Sequence, residues 1–427
     1  MCKIVFIGAG SVVFASRLLT DIVYHSELRD STIALMDIDP ERLKLVSEFA
    51  RVLASKYAPN MKIESTLNRR EVLKDANYVI VMIQVGGLEA FELDINIPLK
   101  YGVNQEVGDT IGPGGVFRGL RTIPVLLDIC YDMERSCPNA LLINYANPMA
   151  INCWAINRMT KIRNLGLCHS VQGTAMQLAN YINVPYKDVY YWVAGINHQA
   201  FFLEFKYKGE DAYPLLWEAM KRKEIYEMDK VRFEMMKYLG YFITESSHHL
   251  SEYIPYFRTT KERLKTYCEP RWFYLEICKE AWGPRFERIR RQINGEEPIE
   301  LNRSHEYGVD IIYSMETGKP CRINGNVENE GLISNLPYGS CVEVPCLVDK
   351  GGVHPCYVGD LPPQCAALNR TNINVQELAV RAALERDRTA ALQAIMFDPL
   401  TSSILTPGEI ERMVDEMFGA EAKWISF

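Results

Sequence analysis

No CxxC pair occurs among the twelve cysteines of this chain, which run from Cys2 to Cys365. That excludes zinc ribbons and zinc fingers, and it leaves reduced, mostly buried thiols as the ordinary reading. Long apolar runs are also missing. Residues 78–83 (YVIVMI) are among the longest, far short of the roughly 20 residues that span a bilayer. The first strand-like run begins at Lys3, with no charged and apolar leader before it, so a cytoplasmic protein is expected. Basic runs are absent, and 47 Lys and Arg against 54 Asp and Glu give a net charge of −7. Nucleic acid and anionic membranes are therefore poor candidates for the main partner. What is present is enough apolar residue, 48% of 427, for a large core, and enough length for two or more structural units.

The first half alternates short β-branched runs with helical patterns, the signature of a parallel sheet wrapped by helices. Residues 3–7 (KIVFI), 32–36 (TIALM), 78–83, 140–143 (ALLI) and 165–167 (LGL) read as strands. A helix is predicted from about 14 to 25, and another opens at Pro40, a favoured first-turn residue. Each strand stops at small or polar residues: Gln84 and Gly86, Asn144 and Asn147, Cys168 and His169. Those stops matter because open parallel sheets bind ligands at the carboxyl ends of their strands. Near residue 195 the character changes. Residues 201–208 read as a half-exposed strand, 215–303 as helices rich in aromatic and charged residues, 321–358 as β-like, and 374–395 as one long amphipathic helix. The expected architecture is α/β, a Rossmann-like doubly wound parallel sheet over 1–195. A mixed α+β substrate and oligomerisation domain over 196–427 follows it.

Gly8-Ala9-Gly10-Ser11 follows the first strand and opens a helix. In that context the first glycine permits a tight turn and the second lets a pyrophosphate approach backbone N–H groups at a helix N-terminus. Val13 replaces the third glycine of the fingerprint. Asp37, at the end of the second strand, is placed to accept hydrogen bonds from ribose hydroxyls and to repel a 2′-phosphate, which favours NAD over NADP. Gln84 and Gly86 lie where the next strand ends. The glycine-rich turn at 112–115 reads equally as a backbone donor site and as a flexible lid.

Two further segments place chemistry at strand tips. GLCHSVQGT (166–174) sets a thiol and an imidazole at the end of a strand, and GINH (195–198) brings a second histidine after another. Cys168 and His198 are an incomplete set for a structural zinc but suit a divalent ion with open positions. A thiolate favours a soft metal and sugar hydroxyls a harder one such as Mn²⁺, so the residues leave the metal open.

The combination of GAGS, MDIDPERL, GDTIGPGGVFRGLRTIP, NYANPMA, GLCHSVQGT, GINHQAF and NEGLISNLPYGSCVEVPCLVD resembles the NAD- and manganese-dependent glycoside hydrolases of family four. The similarity runs from Lys3 to about Phe418. The CHSV tetrad at 168–171 is similar to the α-galactosidase (melibiase) branch, and so implies an unphosphorylated α-galactoside as substrate. The resemblance implies NAD⁺ and Mn²⁺ as cofactors and an exception to the two-carboxylate scheme of most glycosidases. In its cycle the sugar is oxidised at C3, deprotonated at C2, cleaved at C1 by elimination, rehydrated and reduced again. Carried over by residue, Cys168 and His198 hold the metal and Asn147 binds substrate. His169 stands where phospho-sugar relatives carry the acid. Tyr253 is the base, with Tyr256 in reserve. A homodimer or homotetramer is implied.

Three rivals stay open at this point. One is a simple NAD-dependent 2-hydroxy acid dehydrogenase, which gives CHSVQGT and GINH no task. Another is a non-catalytic NAD-binding sensor. The last is the same family acting on an α-glucoside, a uronide or a 6-phospho-glycoside.

Overall fold

The structure, a computed structural model, describes residues 2–11 and 14–427; Val13, at the third fingerprint position, lies outside the described residues. Its strands are β1 (Lys3–Ile7), β2 (Thr32–Met36), β3 (Lys62–Thr66), β4 (Tyr78–Val81), β5 (Leu141–Asn144) and β6 (Arg163–Gly166), then β7 (Val189–Ile196), β8 (Gln199–Tyr207) and β9 (Glu210–Asp211), and finally β10 (Cys321–Glu328), β11 (Cys341–Asp349) and β12 (Gly352–Pro355). All twelve belong to one sheet, ordered β3-β2-β1-β4-β5-β6-β10-β11-β7-β8-β9, with β12 paired to β11. The first six are parallel and reproduce the 3-2-1-4-5-6 order of a doubly wound dinucleotide fold.

Side chains alternate across a strand, and β1 shows the consequence. Ile4 and Phe6 join Leu18, Ile22, Val46 and Phe49 of the Phe14–Tyr24 and Pro40–Tyr57 helices on one face. Val5 and Ile7 join Leu126, Ile129 and Met133 of the Gly112–Ser136 helix on the other. Each such fully buried side chain contributes about 1.5–3 kcal/mol. The Pro40–Tyr57 helix starts where the sequence predicts, with the Asp39 carboxylate accepting from the Glu41 and Arg42 N–H groups.

The later strands extend the same sheet. The antiparallel β10–β11 pair sits between β6 and β7. It joins β6 through the single pair Asn326 and Gly166, and β7 through the single pair Glu343 and Gly195. One row of residues, Asn144, Gly166, Asn326, Glu343, Gly195 and Ala200, thus crosses six strands at the carboxyl rim of β5 and β6. A Cβ on Gly166 would stand 2.6 Å from the sulfurs of Met149 and Cys153, so the row needs glycine there.

Three expectations are corrected. YVIV is the fourth strand, because KIEST forms an edge strand whose alternating polar residues are mostly exposed. The expected helix over 374–395 begins at Pro363 and breaks at Arg386, whose φ of 55° stops it. Asp387 then caps a new helix, Arg388–Met396. Residues 112–115 are no lid: they are the buried first turn of the 25-residue Gly112–Ser136 helix. The Pro363–Glu385 helix packs back on that helix, and Pro407–Ala420 packs on Gly87–Lys100. No described helix is long and apolar enough to cross a membrane.

Candidate active site

Cys168 lies two residues beyond β6, and His198 lies in the two-residue turn between β7 and β8. The fold brings them together: Cys168 Sγ is 3.3 Å from His198 Nε2. The turn holds His198 at a φ of 63°, a conformation that non-glycine residues adopt at some cost and that recurs at ligand-holding sites. A third donor joins them that the sequence did not single out. Glu245 Oε2 stands 3.7 Å from His198 Nε2 and 3.9 Å from Cys168 Sγ. Sulfur, imidazole nitrogen and carboxylate oxygen converge with open positions left over, a donor set that fits a catalytic divalent cation. Asp109, His198 and His249 form an adjoining cluster of similar spacing.

Tyr253 ends the Ser247–Tyr253 helix, and its hydroxyl lies 3.2 Å from His198 Nδ1. Were Cys168, His198 and Glu245 to hold a cation, His198 Nδ1 would carry the proton and donate to the phenolic oxygen, which would favour the phenolate. Burial, with the Asp109 charge next, pushes the Tyr253 phenol well above its usual range. Burial does the same to the Cys168 thiol, with Glu245 and Glu343 adding to it. Tyr256, the reserve base, is half exposed and packs on Phe257.

Asn147 donates from Nδ2 to Asp109 Oδ2 at 2.8 Å, so the predicted substrate residue abuts the same cluster. Burial opposes ionisation of Asp109, yet Arg118 and its other neighbours hold its carboxyl below the usual range. The loop that delivers Asp109 is held by Glu252, next to Tyr253. The Glu252 carboxylate accepts from the backbone N–H groups of Glu106, Val107 and Gly108 at 2.6–2.9 Å. Burial depresses His249 to about 4, so it is neutral at neutral pH. His169 is not among the clustered donors and lines the neighbouring cavity. Its side chain is 56% exposed, and Nδ1 stands 3.8 Å from Glu306 Oε1.

Beneath the cluster lies Glu343, fully buried in the row between Gly166 and Gly195. Neither of its oxygens has a hydrogen-bond partner among the described residues. Burial and, second, the charge of Glu245 push its carboxyl up to about 8.

The dinucleotide turn is equally specific. Gly8 has a φ of 83°, and a Cβ there would meet the Met82 carbonyl oxygen at 2.7 Å; one on Gly10 would meet the Asp37 carboxylate at 2.8 Å. Asp37 accepts from the Gly10 N–H at 2.7 Å and from the Asp39 N–H at 2.9 Å. Ser11 donates its N–H to the Gly8 carbonyl. The N–H groups of Gly8 and Ala9 both go to the Met36 carbonyl, so what the two glycines provide at the carboxyl end of β1 is a backbone clear of side chains, the close approach that a pyrophosphate needs. At the neighbouring strand end Gln84 Nε2 donates to the Gly87 carbonyl, and Trp424 packs against Gly86. Arg121 donates to the Val85 carbonyl from Nε and is buried with Asp94 and Glu421.

The family 4 glycosyl hydrolase model matches residues 3–184, and the model of that family's C-terminal domain matches residues 193–401. The chain belongs to glycosyl hydrolase family 4. An alpha-galactosidase of Bacillus subtilis (strain 168) is 43% identical over 432 residues, covering 100% of this chain and 99% of that protein. An alpha-galactosidase of Rhizobium meliloti (strain 1021) is 38% identical over 440 residues, covering 99% and 89%. The fold is shared with a 6-phospho-alpha-glucosidase from gut microorganisms solved in complex with NAD and Mn²⁺. That structure has a TM-score of 0.86 at 23% identity, with 99% of each chain covered.

Membership of family 4 sets aside the simple dehydrogenase. Cys168, His198, Tyr253 and Asn147 stand at one place in this hydrolase, as do Gly8, Gly10, Ser11 and Asp37 at another. Glu245, Asp109 and His249 were missed. Glu245 carried one usable signal: Ser246 after it caps the helix that bears His249 and Tyr253.

Proposed function

We propose that this family 4 hydrolase cleaves α-galactosides with NAD⁺ and Mn²⁺ as resident cofactors. The observation that carries the reading is the His198 imidazole, within 3.3 Å of the Cys168 thiol and 3.2 Å of the Tyr253 hydroxyl, beside Asn147. The substrate class follows from the α-galactosidases that match end to end. When bound, the dinucleotide supplies reversible hydride acceptance at sugar C3, and the cation supplies positive charge to the C2 and C3 oxygens.

Cys168, His198 and Glu245 would hold the cation; Gly8, Gly10, Ser11, Asp37, Gln84 and Gly86 would hold the dinucleotide. Asn147 positions the sugar hydroxyls, with its amide oriented by Asp109. Tyr253 removes the C2 proton, which a neighbouring carbonyl makes acidic. His169 donates a proton to the leaving oxygen as the C1–O bond breaks. Addition of water across C1 and C2 returns a proton to C2, and the hydride that the dinucleotide would give back to C3 restores the alcohol, so the net change is hydrolysis.

A cofactor-binding half over 1–195 and a substrate-binding half over 196–427 belong to the same proposal. So does a cytoplasmic homodimer or homotetramer, supported by the exposed apolar residues Met228, Tyr238, Phe273 and Ile277. The test is hydrolysis of an aryl α-galactoside in D₂O with and without NAD⁺ and Mn²⁺. The expected result is an absolute need for both and deuterium at C2 of the released sugar. Hydrolysis that survives removal of NAD⁺ overturns the reading.

A further inference from the structure

A cavity of about 350 Å³ opens beside the candidate site, apart from the cation's donor cluster. Its walls come from three elements: Arg17 of the first helix, His169, Gln172, Gly173 and Met176 at the start of the Ser170–Tyr181 helix, and the segment reaching Glu306. We infer that this cavity receives the leaving group of the glycoside, a hexose or another polyhydroxylated alcohol. The inference rests on the glycosidase reading above and adds a second sugar subsite to it.

The placement comes from the tip of β6. Cys168 and His169 are consecutive, yet the thiol is turned to His198 and Glu245 while the imidazole lines the cavity. A glycoside lying across this tip has one sugar over the thiol cluster and the other in the cavity. The glycosidic oxygen then falls between them, on the His169 side.

The walls carry the chemistry that hydroxyl groups need. Gln172 is 3% exposed; its Nε2 is spent on the His305 carbonyl at 3.1 Å, and its Oε1 has no partner among the described residues. A buried amide oxygen left in that state is an acceptor waiting for a donor. Glu306 is buried, with Oε1 3.8 Å from His169 Nδ1 and 4.0 Å from Arg17 Nη1. Both gaps exceed hydrogen-bond reach, and a hydroxyl or a water bridges such a spacing. The volume is in the range of small-molecule sites.

Gly173 offers a way to fill the space. No atom lies within 4 Å of where its Cβ would stand, its φ is ordinary, and it lines the cavity from a helix, so a larger side chain starts in open space and takes up part of the cavity. The experiment compares kcat/KM for melibiose and for methyl α-galactoside, on enzyme supplied with NAD⁺ and Mn²⁺, in wild type, Gly173→Leu and Gln172→Leu. Both rates come from one preparation, so any loss of folded protein cancels in their ratio.

The expected result is a ratio of melibiose to methyl α-galactoside that falls by about tenfold or more in Gly173→Leu. A smaller fall, through the KM for melibiose, is expected in Gln172→Leu. Should Gly173→Leu not fold, Gln172→Leu gives the decision alone. An unchanged ratio overturns the subsite. So does an equal loss on both substrates with a raised KM for NAD⁺, which would give the cavity to the cofactor. A wild type inert toward both α-galactosides sinks the glycosidase reading and the subsite with it; an active wild type with an unmoved ratio sinks the subsite alone.

Discussion

Glu343→Gln should stabilise this protein more and more as the pH rises. The folded carboxyl titrates at about 8, against an ordinary value of 4.5. Across that window the folded state holds one proton more than the unfolded state, so wild-type stability is fullest below the lower value and falls as the pH climbs. The slope is about 1.4 kcal/mol per pH unit, and the loss between pH 5 and pH 8 sums to about 3.5 kcal/mol. An amide cannot ionise, so the variant does not share the loss. It also keeps a polar side chain opposite Asn326, its paired residue on the neighbouring strand. Urea unfolding of the cation-free wild type and variant at several pH values measures the difference. A stability difference that stays level from pH 5 to pH 8 would refute the reasoning. Infrared spectroscopy gives a second check: Glu421, pushed up to about 9 by burial, keeps its protonated-carboxyl absorption at neutral pH, while the Glu343 component should be lost from the variant.

Tyr253→Phe should lower kcat by about 10²- to 10⁴-fold, while Mn²⁺ and NAD⁺ still bind; retention of deuterium exchange at sugar C2 would remove Tyr253 from the base role. Cys168→Ser and Glu245→Gln should each weaken Mn²⁺ binding by about tenfold or more, read by titration of the ion without substrate. Glu245→Gln with unaltered affinity would shift the third donor to the Asp109 and His249 side. Arg121→Leu leaves Asp94 and Glu421 buried without their cation. It should cost about 3–5 kcal/mol in unfolding experiments and raise the KM for NAD⁺, because Val85 loses its donor.

The parallel half was legible because its strands are fully buried and spelled in β-branched residues, as KIVFI and YVIV are. KIEST escaped because an edge strand carries charge where a central one carries valine. The glycines at 114 and 115 suggested a turn, but their reason is close packing. A Cβ on Gly115 would meet the Thr110 backbone at 2.4 Å, and one on Gly114 the Gly108 carbonyl at 2.5 Å. The two proposed cation donors, Cys168 and His198, were legible because each is a polar residue placed just past a strand. Asp109 was not, since an aspartate between glycine and threonine reads as an ordinary turn. Its placement depends on Glu252, 143 positions along the chain, gathering three N–H groups around the loop. Only tertiary structure brings those together.

Neighbouring strands on the parallel side are stitched by four or five residue pairs each, whereas the inserted hairpin meets its neighbours at one pair on either bank. Cys168 rises from the first bank and His198 from the second. An ion gripped by both, as proposed, would act as a rivet across a lightly sewn seam, and a chelator would then loosen the joinery of the enzyme in the same stroke that stops its turnover.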